Sequence, residues 1–390
     1  MAIEGMQRKQ KSIMNEIRGK IKNVEFRTRR DGRIELGARR IPKQPLSPAQ
    51  LSVREAYGKI YQKWTQLSEE EKQYYNSLGR KEGLSGWNVF FREKMKAQTF
   101  KVVLDCSGMS TNYTDYILII QLSKYAELLN ALNDDLTNIL ILDQDKQTEL
   151  QFFRFVTKRE SNNPVLLIKI PSLPPGGYYE IYIKTSMRFN NPGTQGSDFF
   201  LFYDDFNDPA LPSWTKTSDL TVTVQNSKAT FSSSFSNSSA YINKDYAEQY
   251  QIIAKITDIQ AKSDYAALGF SDRPPDDLTA PDYSDRHLYF AENEAYIYAS
   301  NVETSDVCIN LLASIPSTYP AFARVINLYQ HLIVQLNEKI ASLADTNCVL
   351  DSYRRKPELN VLEGCSITLD IFAIAKAYAP EPVIYEVKIS

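Results

Sequence analysis

The sequence predicts a mainly β protein, with two antiparallel β-sandwiches behind a small α-helical N-terminal module. Three observations predict it. Aromatics make up 12% of the 390 residues, with 24 tyrosines and 18 phenylalanines, and such side chains suit the pleated, half-buried surface of a strand. From Phe100 onward, short runs rich in Val, Ile, Phe and Tyr are separated by Pro, Gly, Asn and Asp clusters, the rhythm of a sandwich or barrel. Helical spacing is confined to residues 44–97 and to one short stretch, "KYAELLNAL" at 124–132.

The charge is divided unevenly. Residues 1–100 hold 22 lysines and arginines against 11 acids, and the rest of the chain holds 23 against 36. A basic head and an acidic body imply different partners. No run of about 18 apolar residues is present, so no membrane span is expected. The N-terminal stretch lacks the apolar core of a secretory signal. Cys106, Cys308, Cys348 and Cys365 form no CxxC, which argues against zinc. One bridge among Cys308, Cys348 and Cys365 is conceivable; buried free thiols are the alternative.

Residues 1–43 form a basic arm. Within it, "VEFRTRRDGRIEL" places Asp31-Gly32 between two alternating runs, a hairpin signal because glycine tolerates positive φ. The hairpin has too few apolar residues to stand alone. Residues 44–97 read as a helical module. Ser47-Pro48 opens a helix carrying Leu51, Ala56, Tyr57, Ile60 and Trp64 at helical spacing. Ser68 and Glu71 form a capping box for a second helix, which Gly79 and Gly83 end. "LSGWNVFFREKM" supplies a third segment.

Strand-like runs then fill 98–206, the first sandwich, and 207–390, the second. Hairpin tips are expected at Asn226-Ser227 and Asn337-Glu338. The acidic, proline-rich stretch 271–285 reads as an exposed loop.

The residues also resemble known families. "NYTDYILIIQL", "LLIKIPSLPPGGYYEIYI" and "FLFYDDF", within about 100–206, resemble a domain of unknown function common in archaeal and bacterial surface proteins. In that family a concanavalin A-like (laminin-G-like) jelly roll often follows. Residues 207–390 are similar to it in strand rhythm, in "AALGFSD" and in the closing strand, a likeness of fold alone. The head resembles a module of small structural proteins of bacteriophages and archaeal viruses. The shared pattern is a basic hairpin, a "P-x-S/T-P-A-Q" helix start at Pro45–Gln50, "W-x-x-L-S/T-x-E" at Trp64–Glu70 and "L-S-G-x-N-x-F" at Leu84–Phe90.

Several side chains are candidates for a site. Phe200, Phe202, Phe206 and Trp214 surround Asp204 and Asp205. They read as an inter-domain seam, with Phe200 and Phe202 on one face of a doubly buried strand and Phe199 and Leu201 on the other. A calcium alternative uses Asp204, Asp205 and Asp208 with Asn207, although EF-hand spacing is absent. No other cofactor is expected. Arg27, Arg29, Arg30, Arg33, Arg39 and Arg40, with Trp64 and Trp87, are candidates for docking a partner protein; the arginines could also track phosphates of nucleic acid, a lesser expectation. Tyr283, Tyr289 and Tyr296 offer rings on which a sugar could stack. Glu292 and Glu294 share a strand face but lack the further acids of a glycosidase run. His287 and His331 sit beside no nucleophile motif, and there is no P-loop and no G-x-G-x-x-G. A non-enzymatic protein is expected.

The resemblances imply a structural component of a virus particle, assembled in the host cytoplasm. Its head would dock to capsid or tail subunits, homo-oligomerise within the particle, and expose the sandwiches for shell cementing or host contact. The alternatives are a cell-surface glycan-binding adhesin and a nucleic-acid-binding protein acting through residues 1–97.

Overall fold

The structure, a computed structural model, describes residues 20–21, 24–28, 34–38, 48–187, 189–234, 238–242, 249–261, 265–271, 285–291, 294–301, 306–314, 319–328, 331–344, 356–378 and 381–390. The chain divides into two compact units, 1–55 and 56–390.

In the first unit, Lys20–Ile21, Val24–Thr28 and Ile34–Ala38 form an antiparallel sheet with Thr28 opposite Ile34. This is the hairpin expected across Asp31-Gly32. Arg27 lies in its middle strand, whereas Arg29, Arg30, Arg33, Arg39 and Arg40 lie outside the described residues.

Helices α1 (Pro48–Gln66), α2 (Glu69–Glu82) and α3 (Gly86–Met95) follow. α1 begins at Pro48, where a missing N–H costs nothing. Both halves of the Ser68–Glu71 capping box are present. The backbone N–H of Ser68 and its hydroxyl hold the Glu71 carboxyl below its usual range. α2 closes at Gly83, in the left-handed region at φ +68°. Gly79 serves differently from the stop expected of it. It lies inside α2, where a Cβ would come within 2.5 Å of the Leu84 carbonyl oxygen, so its smallness lets the chain fold back tightly into α3. Ile60, Phe90 and Met95 form the module's core with Met187.

The rest is four β layers. The first is a four-stranded sheet ordered Val383–Ile389, Gln98–Asp105, Tyr178–Thr185, Ile139–Leu142. The second is a three-stranded sheet, Tyr113–Gln121, Val165–Leu173, Gln151–Val156. Together they enclose one core, with Phe100, Val102, Ile181 and Ile183 facing Leu118, Ile120, Leu166 and Ile168. The third is an eight-stranded sheet that runs Leu220–Gln225, Lys228–Ser233, Ser366–Lys376, Tyr250–Gln260, Ala321–Leu328, His331–Leu336, Lys339–Ala344, with Phe202–Asp204 also paired to Ser366–Lys376. The fourth is a seven-stranded sheet ordered Trp214–Lys216, Ser238–Ile242, Lys356–Val361, Tyr265–Ser271, Asp285–Ala291, Glu294–Asn301, Asp306–Ser314. The third and fourth sheets pack face to face over the largest core, which includes Phe231, Ile252, Leu268, Phe290, Val325 and Phe372. The protein is therefore mainly β, with antiparallel sandwich sheets and a small helical module.

Two features differ from the sequence expectation. The closing strand was expected in the second sandwich (207–390). It instead pairs with Gln98–Asp105, with Ile389 opposite Phe100, and so completes the first sandwich. Its Ile384 and Val387 pack on the first core. The second sandwich is thus inserted within the first. The seam also differs. It is formed by the outer faces of the second and third sheets, where Ile117, Phe155 and Leu167 meet Ile253, Phe322 and Ile371. Phe155 and Phe322 pack edge to face at 5.6 Å.

Charges complete that seam. Lys255 is only 6% exposed and binds Glu160 from the first sandwich and Asp370 from its own sheet, the latter at 2.7 Å. Arg324, equally buried, forms a bidentate pair with Glu381 on the segment leading back to the first sandwich and also donates to Gln251. A buried cation needs such partners, because desolvation costs several kcal/mol per ion. Burial pushes the Glu160 carboxyl up, but Lys255 and the Thr157 backbone N–H outweigh it and hold it below its usual range. Among the described residues, no helix is long and apolar enough to cross a membrane.

Candidate ligand-binding face

The seven-stranded sheet packs one face against the largest core. In Asp285–Ala291, Leu288 and Phe290 enter the core, which leaves His287 and Tyr289 on the opposite side. In Glu294–Asn301, Ala295, Ile297 and Ala299 turn inward, so Glu294 and Tyr296 belong to the other face. In Tyr265–Ser271, Ala266, Leu268 and Phe270 are core, so Tyr265 and Ala267 share the outer face.

Register gathers these positions. Tyr289 stands opposite Tyr296 on one side and Ala267 on the other, while Ala291 stands between Tyr265 and Glu294. The rings of Tyr265 and Tyr289 lie 4.3 Å apart at 32°, and Tyr289 meets Tyr296 edge on at 6.1 Å. The Tyr296 hydroxyl donates to the Glu294 carboxylate, which fixes that ring's orientation. All three tyrosines are half-buried. Small residues, Ala267 and Ala291, occupy the cross-strand positions beside the rings. His287 is 2% exposed and pairs with Gly269 and Tyr298 across the strands. The arrangement is a platform of phenol rings with one carboxylate, apolar in its faces and polar at its rim.

Of the residues proposed for sugar contact, Tyr289 and Tyr296 come together here; Tyr283 lies outside the described residues, as does Glu292. Tyr265 was missed. Its strand partner is far from it in sequence, and only register brings the two rings together.

The stretch around Asp204 divides between two cores. Phe200 lies in the seam cluster with Phe199 and Tyr203. Phe202, Phe206 and Trp214, expected in the seam, pack instead on the core of the second sandwich. The reason is local. Gly196–Phe199 is a single helical turn and only Phe202–Asp204 is strand, so the alternation expected over 199–202 does not run through. Leu201 is exposed as a result. Asp204 accepts the Phe206 backbone N–H and the Trp214 indole N–H, both at 2.8 Å. Burial raises its carboxyl above the usual range against the pull of these bonds. Asp205 accepts the Asn207 N–H and Asp208 that of Ala210. Each carboxylate of the calcium alternative thus caps its own turn. Among the described residues, no three His, Cys, Asp or Glu side chains converge as a metal site.

The remaining candidates also fall into place. Trp64 and Trp87, expected to dock a partner, are half-buried within the helical module, 5.9 Å from each other and packed on Phe90. Cys106 and Cys365 are buried free thiols, so a bridge through Cys365 is excluded. Cys348 and the Cys308 side chain lie outside the described residues. The Asn226-Ser227 turn has positive φ at both residues, as a type I′ hairpin requires. Asn337 turns its hairpin toward the first sandwich, where Gln121 donates to its carbonyl oxygen.

No protein-family model and no curated protein matches the chain. Solved structures similar to it include a lichenase from a mouse hindgut metagenome, at 8% identity, TM-score 0.34, over 45% of this chain and 98% of that one. Another is a β-glucanase of Bacillus licheniformis, at 10% identity, TM-score 0.34, over 45% and 97%. A third is a legume lectin-like domain from Entamoeba histolytica, at 10% identity, TM-score 0.36, over 45% and 96%.

Proposed function

We propose that the protein is a carbohydrate-binding protein that receives a glycan on the tyrosine face of its seven-stranded sheet. The observation that carries this reading is the cluster of Tyr265, Tyr289 and Tyr296 on the side of the sheet opposite the core, with Glu294 holding one hydroxyl. Phenol rings stack on the apolar faces of sugars, and their hydroxyls and a carboxylate meet the sugar's own hydroxyls. The reading is of binding rather than hydrolysis. Both routes of glycoside hydrolysis use a pair of carboxyl groups flanking the bond, whereas the carboxylate contacting these rings is already engaged by Tyr296.

The role in a virus particle rests on the resemblance of residues 1–97. Trp64 and Trp87 pack, half-buried, against the module's own core. A glycan-binding face suits the outside of a particle as well as the outside of a cell. Either location accommodates the proposal.

The test is full-length protein on an array of immobilised glycans, with Tyr289→Ala beside it. At least one glycan class should be retained, and the variant should weaken it about tenfold or more, as expected for a central aromatic anchor. A folded wild-type protein that retains no glycan overturns the reading.

A further inference from the structure

A cavity lies where the two sandwiches join, far along the chain from the tyrosine platform. Its volume is about 600 Å³, within the range of small-ligand sites. Phe153 and Arg154 from the second sheet, Thr194 and Gln195 from the connecting loop, and Tyr203 and Asp205 beside the third sheet line it.

Its walls are built rather than incidental. The Arg154 guanidinium donates to the Pro192 and Asp135 carbonyl oxygens at 2.8 and 2.9 Å, and the Thr194 N–H donates to the Phe152 carbonyl oxygen at 2.8 Å. These bonds tie the loop to the sheet. Gly193 adopts φ +79°, in the left-handed region. A Cβ on Gly196 would sit 2.3 Å from the Tyr203 ring, so the ring lies flat against bare backbone. Tyr203 is further fixed between Phe200, parallel at 5.9 Å, and Phe153, edge on at 5.7 Å.

The chemistry of the lining narrows the ligand. One cation and one anion balance, and the cation already serves two backbone carbonyls, so a polyanion such as a nucleotide has no counter-charge here. The remaining polar side-chain groups are the Thr194, Ser197 and Tyr203 hydroxyls and the Gln195 amide, beside the Phe153 and Tyr203 rings. Ring edges for apolar patches, neutral donors and acceptors for hydroxyls, and the Asp205 carboxylate, which accepts the Asn207 N–H at 3.3 Å and keeps further lone pairs, match a neutral polyol. We infer that this cleft is a second saccharide site, taking a short neutral oligosaccharide between Tyr203, Asp205 and the 193–196 loop.

The experiment titrates full-length protein with maltotriose, laminaritriose and N,N′-diacetylchitobiose by saturation-transfer NMR and calorimetry. Asp205→Asn, Gln195→Ala and Tyr289→Ala are run in parallel, and the fold of each is checked by circular dichroism. Asp205 and Gln195 are not part of either core, so these variants should fold. At least one of the sugars should bind, with Asp205→Asn weakening it about tenfold, as for loss of a hydrogen bond to a charged group, and Tyr289→Ala leaving it unchanged. Binding lost in Tyr289→Ala but kept in Asp205→Asn and Gln195→Ala overturns the cleft and leaves the platform standing. Absence of binding by all three sugars at millimolar concentration, or binding indifferent to every variant, also overturns the cleft.

Discussion

The first half of the strand Val165–Leu173 buries both of its faces, whereas Glu294–Asn301 turns one parity into a core. In the first, Leu166 and Ile168 enter the core of the first sandwich while Val165 and Leu167 enter the seam. Its sequence is accordingly a nearly unbroken apolar run. In the second, Ala295, Ile297 and Ala299 enter a core while Glu294 and Tyr296 take the other side. Both are antiparallel strands in sandwich sheets. What separates them is whether, among the described residues, the second face joins another hydrophobic core. Where it does, both parities are apolar. In Glu294–Asn301 the second parity carries Glu294 and Tyr296, both half-buried.

The largest effect that could break this comparison is at Phe290, the neighbour of Tyr289 on the opposite face. Phe290→Ala should cost about 3–5 kcal/mol by removing a fully buried ring, seen as a fall in the urea midpoint at unchanged glycan affinity of the folded fraction. Leu166→Ala and Leu167→Ala test the doubly covered strand. Each should cost about 2–5 kcal/mol, because both are fully buried on opposite faces. A Leu167 variant as stable as wild type would mean that the seam is not a packed layer.

Smaller is the pH response of the seam. The Glu160 carboxyl titrates below its usual range when folded, so its contribution is present above the ordinary carboxylate range and is lost as pH falls through that range toward the folded value. Urea midpoints measured at neutral and at acid pH should therefore differ less in Glu160→Gln than in wild type. The smallest effect on stability is expected from Tyr289→Ala, about 1 kcal/mol for lost ring contacts. Its effect on glycan retention should be far larger. The reverse pattern, a large stability loss with glycan retained, would assign Tyr289 to packing.

Much of the local structure was legible. The capping box at Ser68 and Glu71, the helix start at Pro48, the turn at Asn226-Ser227 and the alternation through 286–299 all depend on residues close in sequence. So does the mainly β class, since strand length and turn chemistry repeat along the chain. The candidate site was legible in part: Tyr289 and Tyr296 are separated by one hairpin and can be paired from sequence, but Tyr265 cannot.

By itself, then, the sequence determined the type and approximate extent of the elements, the helical head, and which parity of most strands is apolar. Which layer each strand joined was set by contacts made in the folded chain. The closing strand "VIYEVKIS" suits an edge of either sandwich, and pairing with Gln98–Asp105 is a choice among distant partners. Phe202, Phe206 and Trp214 read as seam because apolar residues on both sides of Asp204 need burial; one helical turn at Gly196–Phe199 shifted them into a different core. Lys255 and Arg324 carry charges that no local pattern assigns to an interior, and stacking of two sheets buried them with Glu160, Asp370 and Glu381. The physical reason is common to all three. Periodicity reports that a face must be covered, but the identity of the cover depends on contacts between residues remote along the chain, and no local pattern encodes those.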